Sequence, residues 1–272
     1  MDPRRWKATL SRFHVSEWGA ELAGTAILML GGLSAVALDF GRGSPVAAAI
    51  PAVSPRLLLT GALFAATGSL VAISPLGRLS GAHVNPAVTV AFWLTRQVHP
   101  HDLAGYLAAQ FAGALIGVGV WRLAWGAQAD SVMGGVTAPG RGVLPWEAVA
   151  IEAFMTAFLV LTIFLFVSRP RLMRWTPLAV WLVVTLLVWQ GALLTGTSLN
   201  PARSLGPAVL SSSYGSVWIY FVGPLLGAAG AAAAVHVLGA RFRPLTAKLF
   251  HDPRYPSIFR AARPMAMGSG PA

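Results

Sequence analysis

The tripeptide Asn-Pro-Ala occurs twice, at Asn85-Pro86-Ala87 and at Asn200-Pro201-Ala202, inside a chain otherwise built from long apolar runs. Ser80-Gly81-Ala82-His83-Val84 leads into the first copy and Thr195-Gly196-Thr197-Ser198-Leu199 into the second. Asn is a preferred N-cap, Pro suits the first helical position and Ala continues, so each copy reads as a helix start. The placement is a strong constraint on the fold. Irregular backbone is not tolerated facing lipid, but it is tolerated where it lines a cavity or pore.

Lipid is the relevant solvent. Of 272 residues, 56% are hydrophobic and 11% charged, against about 25% charged in a soluble domain. Six apolar runs, near residues 18–38, 57–76, 102–125, 147–167, 176–194 and 217–238, reach the roughly 20 residues that cross a bilayer. The helices started by the two motifs span about 86–95 and 201–210. Ten residues reach about 15 Å, half of a roughly 30 Å hydrocarbon core, so neither can cross. The expected fold is an all-α membrane protein with six transmembrane helices and two re-entrant half-helices. The first apolar run is long and lacks a small-residue cleavage site, so no cleavable signal peptide is expected. The segment 39–55 reads as a Gly/Pro-rich loop, and the tail from Pro244 to Ala272 as loose.

Charge sets the topology. With both ends inside, 15 of the 20 Lys and Arg residues fall on the inner side: Arg4, Arg5, Lys7, Arg12, Arg78, Arg96, Arg169, Arg171, Arg174, Arg241, Arg243, Lys248, Arg254, Arg260 and Arg263. Arg42, Arg56, Arg122, Arg141 and Arg203 fall outside or in the pore. The net charge of +11 is then an orientation signal facing anionic lipid, and no nucleic-acid partner is expected.

The order Glu, span, half-helix, span also occurs twice. Glu21 precedes Asn85 by 64 residues and Glu152 precedes Asn200 by 48, the difference matching the 39–55 loop. Each half holds three spans, and an odd number of crossings turns the second half over. The halves are inverted repeats, a pattern that brings discontinuous helices together at the midplane. The expected organisation is an N-terminal segment 1–17, a channel domain 18–240 with repeats 18–125 and 147–240, and a basic tail 241–272.

These motifs resemble those of the major intrinsic protein family, the aquaporins and aquaglyceroporins. The matching residues are Ser80-Gly81-Ala82-His83-Val84-Asn85-Pro86-Ala87-Val88-Thr89 and Asn200-Pro201-Ala202-Arg203-Ser204-Leu205-Gly206-Pro207-Ala208. Ala20-Glu21-Leu22-Ala23-Gly24-Thr25, Gln110-Phe111-Ala112-Gly113-Ala114 and Val222-Gly223-Pro224 support them. The likeness covers about residues 18–238. It implies a homotetramer with one pore per subunit, no cofactor, and a place in the cell membrane with both termini cytoplasmic. It also implies that Ala65, Val188, Thr197 and Arg203 form the outer constriction, with Phe64 taking the first place if the helix is turned by one residue. Ala65 and Val188 make a wide, less polar opening; Ser204, and Tyr220-Phe221 in the sixth span, lean toward the water-channel branch.

The residues account for a pore in physical terms. Each half-helix N-terminus carries roughly half a positive charge, and two aimed at one point repel cations. Asn85 and Asn200 are expected to cap these helices and keep their amide donors free for a passing oxygen. Arg203, a charge at depth, is expected to face the pore. Glu21 and Glu152 are expected to accept hydrogen bonds from the irregular backbone before each half-helix, and His83 to fix its loop. Gly61, Gly68, Gly113, Gly117, Gly223, Gly227 and Gly230 are expected to permit close helix packing. Asp102 reads as the N-cap of the third span rather than as a metal ligand with His99 and His101, and no metal is expected.

The function expected is passive passage of water and small uncharged solutes such as glycerol, urea or metalloid acids, excluding ions and protons. A water-selective channel is the nearer alternative. A secondary transporter would need saturable, gradient-coupled uptake, and a non-conducting structural protein would leave liposome permeability flat. No nucleophile–base arrangement points to an enzyme.

Overall fold

The computed structural model describes residues 13–239, 242–255 and 257–259, and these are helical with no strand among them. The basic residues Arg4, Arg5, Lys7, Arg12, Arg241, Arg260 and Arg263 lie outside the described residues. Six helices are long and apolar enough to cross a membrane. They are α1 (Val15–Phe40), α3 (Val53–Ile73), α6 (Pro100–Trp125), α8 (Pro145–Val167), α9 (Thr176–Thr195) and α11 (Ile219–Leu238). Two half-length helices stand between them, α5 (Pro86–Leu94) and α10 (Pro201–Leu210). Short helices α2 (Pro45–Ala49), α4 (Pro75–Ser80) and α7 (Ala127–Ser131) occupy connecting segments.

Local chemistry sets the starts. Pro stands in the first turn of α2, α4, α5, α6, α8, α9 and α10, where its missing N–H costs nothing. Side-chain caps come from Ser44, Ser74, Asn85 and Asn200. Two starts differ from expectation. The 39–55 loop contains α2, because Ser44 followed by Pro45 is itself a cap and first turn. Asp102 is not the cap of α6: His99 holds that place, Pro100 opens the helix, and Asp102 is its third residue and fully buried.

The spanning helices are apolar around much of their circumference, as lipid on one side and protein on the other require. Leu70, Leu123, Phe154 and Leu226 point outward, and Trp146, Trp175 and Trp218 stand exposed near helix starts, where amphipathic rings suit the membrane–water boundary. Two three-helix groups form, α1 with α3 and α6, and α8 with α9 and α11, joined by α3 against α9. Glycines permit the closest approaches. A Cβ on Gly113 would collide with the Leu22 carbonyl, and one on Gly227 with the Ala153 carbonyl, the same contact in the two halves. Gly230 behaves otherwise: among the described residues nothing lies within 4 Å of its Cβ position, so it does not serve close packing of another described helix.

The described part of the tail is not loose. It returns to the end of the bundle that holds His14. Leu245 N donates to the Val167 carbonyl, Gln97 Nε2 to the Pro244 carbonyl and Leu249 N to the Gly81 carbonyl. Ala247, Leu249 and Phe259 are buried there, and Asp252 sits between Arg78 and Arg254. Apolar burial and ion pairing hold a segment that Pro and Gly content alone marks as irregular.

Candidate pore

The two half-helices meet at their N-termini. Asn85 Oδ1 accepts from Ala87 N at 2.8 Å, and Asn200 Oδ1 accepts from Ala202 N at 3.0 Å and Arg203 N at 3.3 Å. The other end of each amide crosses to the opposite half. Asn85 Nδ2 donates to the Leu199 carbonyl and Asn200 Nδ2 to the Val84 carbonyl, both at 2.9 Å. The expectation that these amides stay free is thus corrected in part: each commits one N–H to the junction, and among the described residues its other N–H has no partner. Both side chains line one cavity of about 100 Å³.

The approach segments carry unusual backbone. Gly81 and Gly196 have φ of 97° and 78°, which glycine adopts readily. Ala82, Val84, Thr197 and Leu199 also have positive φ, at 55°, 40°, 46° and 57°. For residues with a Cβ this costs about 1–2 kcal/mol each. Two buried carboxylates hold the strained segments. Glu21 accepts from His83 N at 3.0 Å, Val84 N at 2.7 Å, and Ser80 Oγ and Gln110 Nε2, both at 2.7 Å. Glu152 accepts from Ser198 N at 2.9 Å, Leu199 N at 2.8 Å and Thr195 Oγ1 at 2.7 Å. Tyr106 and Tyr220 repeat the correspondence, donating to the Ser80 carbonyl at 2.6 Å and the Thr195 carbonyl at 2.7 Å.

Arg203, in the first turn of α10, is buried, and its Nη1 donates to the Gly135 carbonyl at 2.7 Å. Its guanidinium carbon lies 5.9 Å from the centre of the Phe64 ring. A second cavity of about 540 Å³ opens on the far side of this pair and is bounded by Leu57, Thr60, Val188 and Thr197. Phe64, Val184, Ser198, Leu199 and Arg203 border both cavities and stand where the two adjoin. Ala65 borders only the first cavity and is buried; Val188 and Thr197 border only the second. His83 is buried under the first half-helix, stacked on Phe92 at 4.9 Å, and its Nε2 donates to the Ala247 carbonyl at 2.7 Å. Pro86, Ala87, Pro201 and Ala202 form the buried first turns below the two Asn caps.

The family profile "MIP: Major intrinsic protein" matches residues 9–236. The chain belongs to the major intrinsic protein family. It is 32% identical over 227 residues to "Aquaporin NIP1-1" of Oryza sativa subsp. japonica, covering 83% of this chain and 75% of that protein. It is 36% identical over 197 residues to "Lens fiber major intrinsic protein" of Lithobates pipiens, 71% of each chain. Over 202 residues it is 37% identical to "Aquaporin-5" of Mus musculus, 71% of this chain and 72% of that one. The X-ray structure of the aquaglyceroporin from Plasmodium falciparum superposes with a TM-score of 0.68 at 22% identity, covering 81% of this chain and 95% of that chain. At that identity the last match shows the fold alone. Family and six apolar helices together make this an integral membrane protein of the aquaporin type, related to channels rather than to enzymes.

The roles of several residues of this aquaporin-type pore are not visible in a sequence read one segment at a time. Gln110 links Glu21 to Thr89, donating to both. Gly135, the last residue of a short 3-10 turn (Met133–Gly135), supplies the acceptor that fixes Arg203. Tyr106 and Tyr220 could have been paired from the inverted repeat, since each stands one helix beyond its half-helix, but only contact shows what their hydroxyls hold. Ser204 braces Ser198 and Thr137, each at 2.6 Å, and so supports the pore loop.

Proposed function

We propose that this chain is a passive channel for water and small uncharged solutes of the glycerol, urea or metalloid-acid kind, excluding ions and protons. The observation that carries this reading is the crossed pair of amide bonds, Asn85 to the Leu199 carbonyl and Asn200 to the Val84 carbonyl. It holds two electropositive helix ends against one lumen, where they oppose cations. The remaining amide hydrogen of each Asn addresses a passing oxygen. A water whose oxygen accepts from both cannot also hand a proton along the file. Arg203 adds a fixed charge and hydroxyl-binding donors where the two cavities adjoin.

The proposed filter is Phe64, Val188, Thr197 and Arg203, with Ala65 behind Phe64 enlarging the inner chamber. An apolar wall of Phe64 and Val188 facing the donors of Arg203 suits a solute with carbon on one side and hydroxyl or amide on the other. The water-selective reading is favoured by one observation, the Phe64 ring beside the guanidinium, which takes up the space that Ala65 would leave. Assembly as a homotetramer, in the cell membrane with both termini cytoplasmic, completes the reading; its support is the family and the Lys and Arg distribution.

Stopped-flow shrinkage of proteoliposomes in glycerol or urea gradients tests it. Water and solute flux above the lipid background support the proposal, and water flux alone selects the water-specific reading. Neither flux, in the full chain and in a chain ending at Gly239, rejects the channel.

A further inference from the structure

Three of the six histidines gather at the start of α6, on the face of the bundle that holds the tail. His14 stands just before α1, and His99 and His101 flank Pro100. Asp102 is fully buried beside them. Its Oδ1 accepts from Trp18 Nε1 at 3.1 Å and lies 2.7 Å from His14 Nδ1. Its Oδ2 is also buried, accepts no hydrogen bond among the described residues, and lies 3.3 Å from His101 Nε2. One ligand atom from each of His14, His101 and Asp102 falls within 4.8 Å of the others. The imidazoles are part exposed, at 25% and 41%, so the cluster opens to water while its carboxylate stays fixed.

We propose that His14, His101 and Asp102 form a binding site for a borderline divalent cation such as zinc or cobalt. Two imidazole nitrogens and one carboxylate oxygen are a donor set such ions take, at about 2.0–2.2 Å. A small turn of the two exposed imidazoles brings three atoms already within 4.8 Å onto one centre, with water completing the shell. Trp18 Nε1 orients the carboxylate from behind, the role of an outer-shell partner. An ion there would tie the approach to α1 to the start of α6.

The test uses the full chain, purified through a tag without histidine and freed of metal by a chelator, then titrated with cobalt. One cobalt per chain, with the visible bands of a low-symmetry site, is expected. His14→Gln and His101→Gln should each weaken binding at least about tenfold, while His251→Gln leaves it unchanged. No visible bands at saturating cobalt, or binding unaffected in both variants, overturns the site. The two substituted side chains are part exposed, so the result does not depend on replacing buried Asp102.

A separate observation carries a second inference, which rests on the channel reading. Leu249 of the tail borders the same cavity as Asn85 and Asn200. Its N–H donates to the Gly81 carbonyl at 3.0 Å, and Phe259 stacks on His83 at 5.5 Å. Lys248 is fully buried, with Nζ donating to the Arg78 carbonyl at 2.7 Å and the Tyr255 carbonyl at 3.3 Å. Burial holds its ammonium below the ordinary lysine value, against the pull of Glu17 and Asp252. Asp252, paired with Arg78 at 3.0 Å and Arg254 at 2.8 Å, fastens the segment; hydrogen bonds from Arg254 keep its carboxyl well below the usual range.

We infer that residues 245–249 are a partial plug that narrows the cytoplasmic mouth, so that this arrangement conducts less water than one with the tail released. Water permeability of proteoliposomes should rise several-fold per channel in Leu249→Ser, in Arg78→Ala and in a chain ending at Gly239. Equal permeability in wild type and all three overturns the plug and leaves the channel standing. No permeability in any of them overturns both.

Discussion

Replacing Glu152 by Gln should collapse the second pore loop while leaving the bundle folded. The carboxylate accepts from Thr195 Oγ1, Ser198 N and Leu199 N and is fully buried. Gln turns one acceptor oxygen into a donor. If the amide oxygen stays with Thr195 and Ser198, the Leu199 N–H faces an NH₂ group. A hydrogen bond to a charged group contributes about 1.5–3 kcal/mol, and an orphaned buried N–H costs about 1–3 kcal/mol. The loss is therefore about 3 kcal/mol at one short segment. Thr197 and Leu199 carry left-handed backbone worth about 2–4 kcal/mol together. The loss matches the strain that the carboxylate restrains, so the loop is expected to relax and withdraw the Leu199 carbonyl from Asn85. Stopped-flow light scattering should show most of the water permeability gone, with unchanged elution in detergent. Glu147→Gln, on an exposed residue that among the described residues accepts from the Leu144 N–H alone, is the control and should conduct like wild type. Wild-type permeability in Glu152→Gln would refute the reasoning.

Arg203→Val removes the charge where the two cavities adjoin and the bond to the Gly135 carbonyl; a pH-dye liposome assay should then record a proton or cation leak absent from wild type. Phe64→Ala opens the apolar side of the constriction, so the glycerol-to-water flux ratio should rise; an unchanged ratio would move the filter elsewhere. The chain has no cysteine, so mercury salts should not inhibit through a thiol, and strong thiol-reversible inhibition of purified protein would contradict this. Tyr220→Phe removes the bond to the Thr195 carbonyl and should lower the thermal midpoint by a few degrees, about 1 kcal/mol for one neutral bond, without admitting ions.

The spans and both half-helix starts were legible because each rests on local chemistry: apolar run length, Asn caps and Pro in the first turn. The inverted order was legible because Glu21 and Glu152 mark it, and their carboxylates hold the loops they precede. Long-range contact was not legible. Nothing around Tyr106 or Gly135 distinguishes them until the helices are packed, and the motif that holds Gln110 does not reveal that its amide bridges Glu21 and Thr89. Asp102 looks like an N-cap because it stands near a helix start; Pro100 moves the start earlier and turns the carboxylate inward, toward His14 and Trp18. Phe64 and Ala65 are adjacent in the chain and about 100° apart around the helix, and sequence spacing does not fix rotation to one residue. The tail reads as loose because its partners, Gly81, Arg78 and Val167, lie more than 70 positions away in the chain.

The measurement closest to the central claim records water and proton flux together in liposomes carrying a pH dye, for the full chain and for Leu249→Ser. Two helix ends and two crossed Asn amides around one lumen predict water flow without proton flow, the variant conducting more water than wild type. Proton current accompanying the water, or no water flow in either protein, would contradict the account.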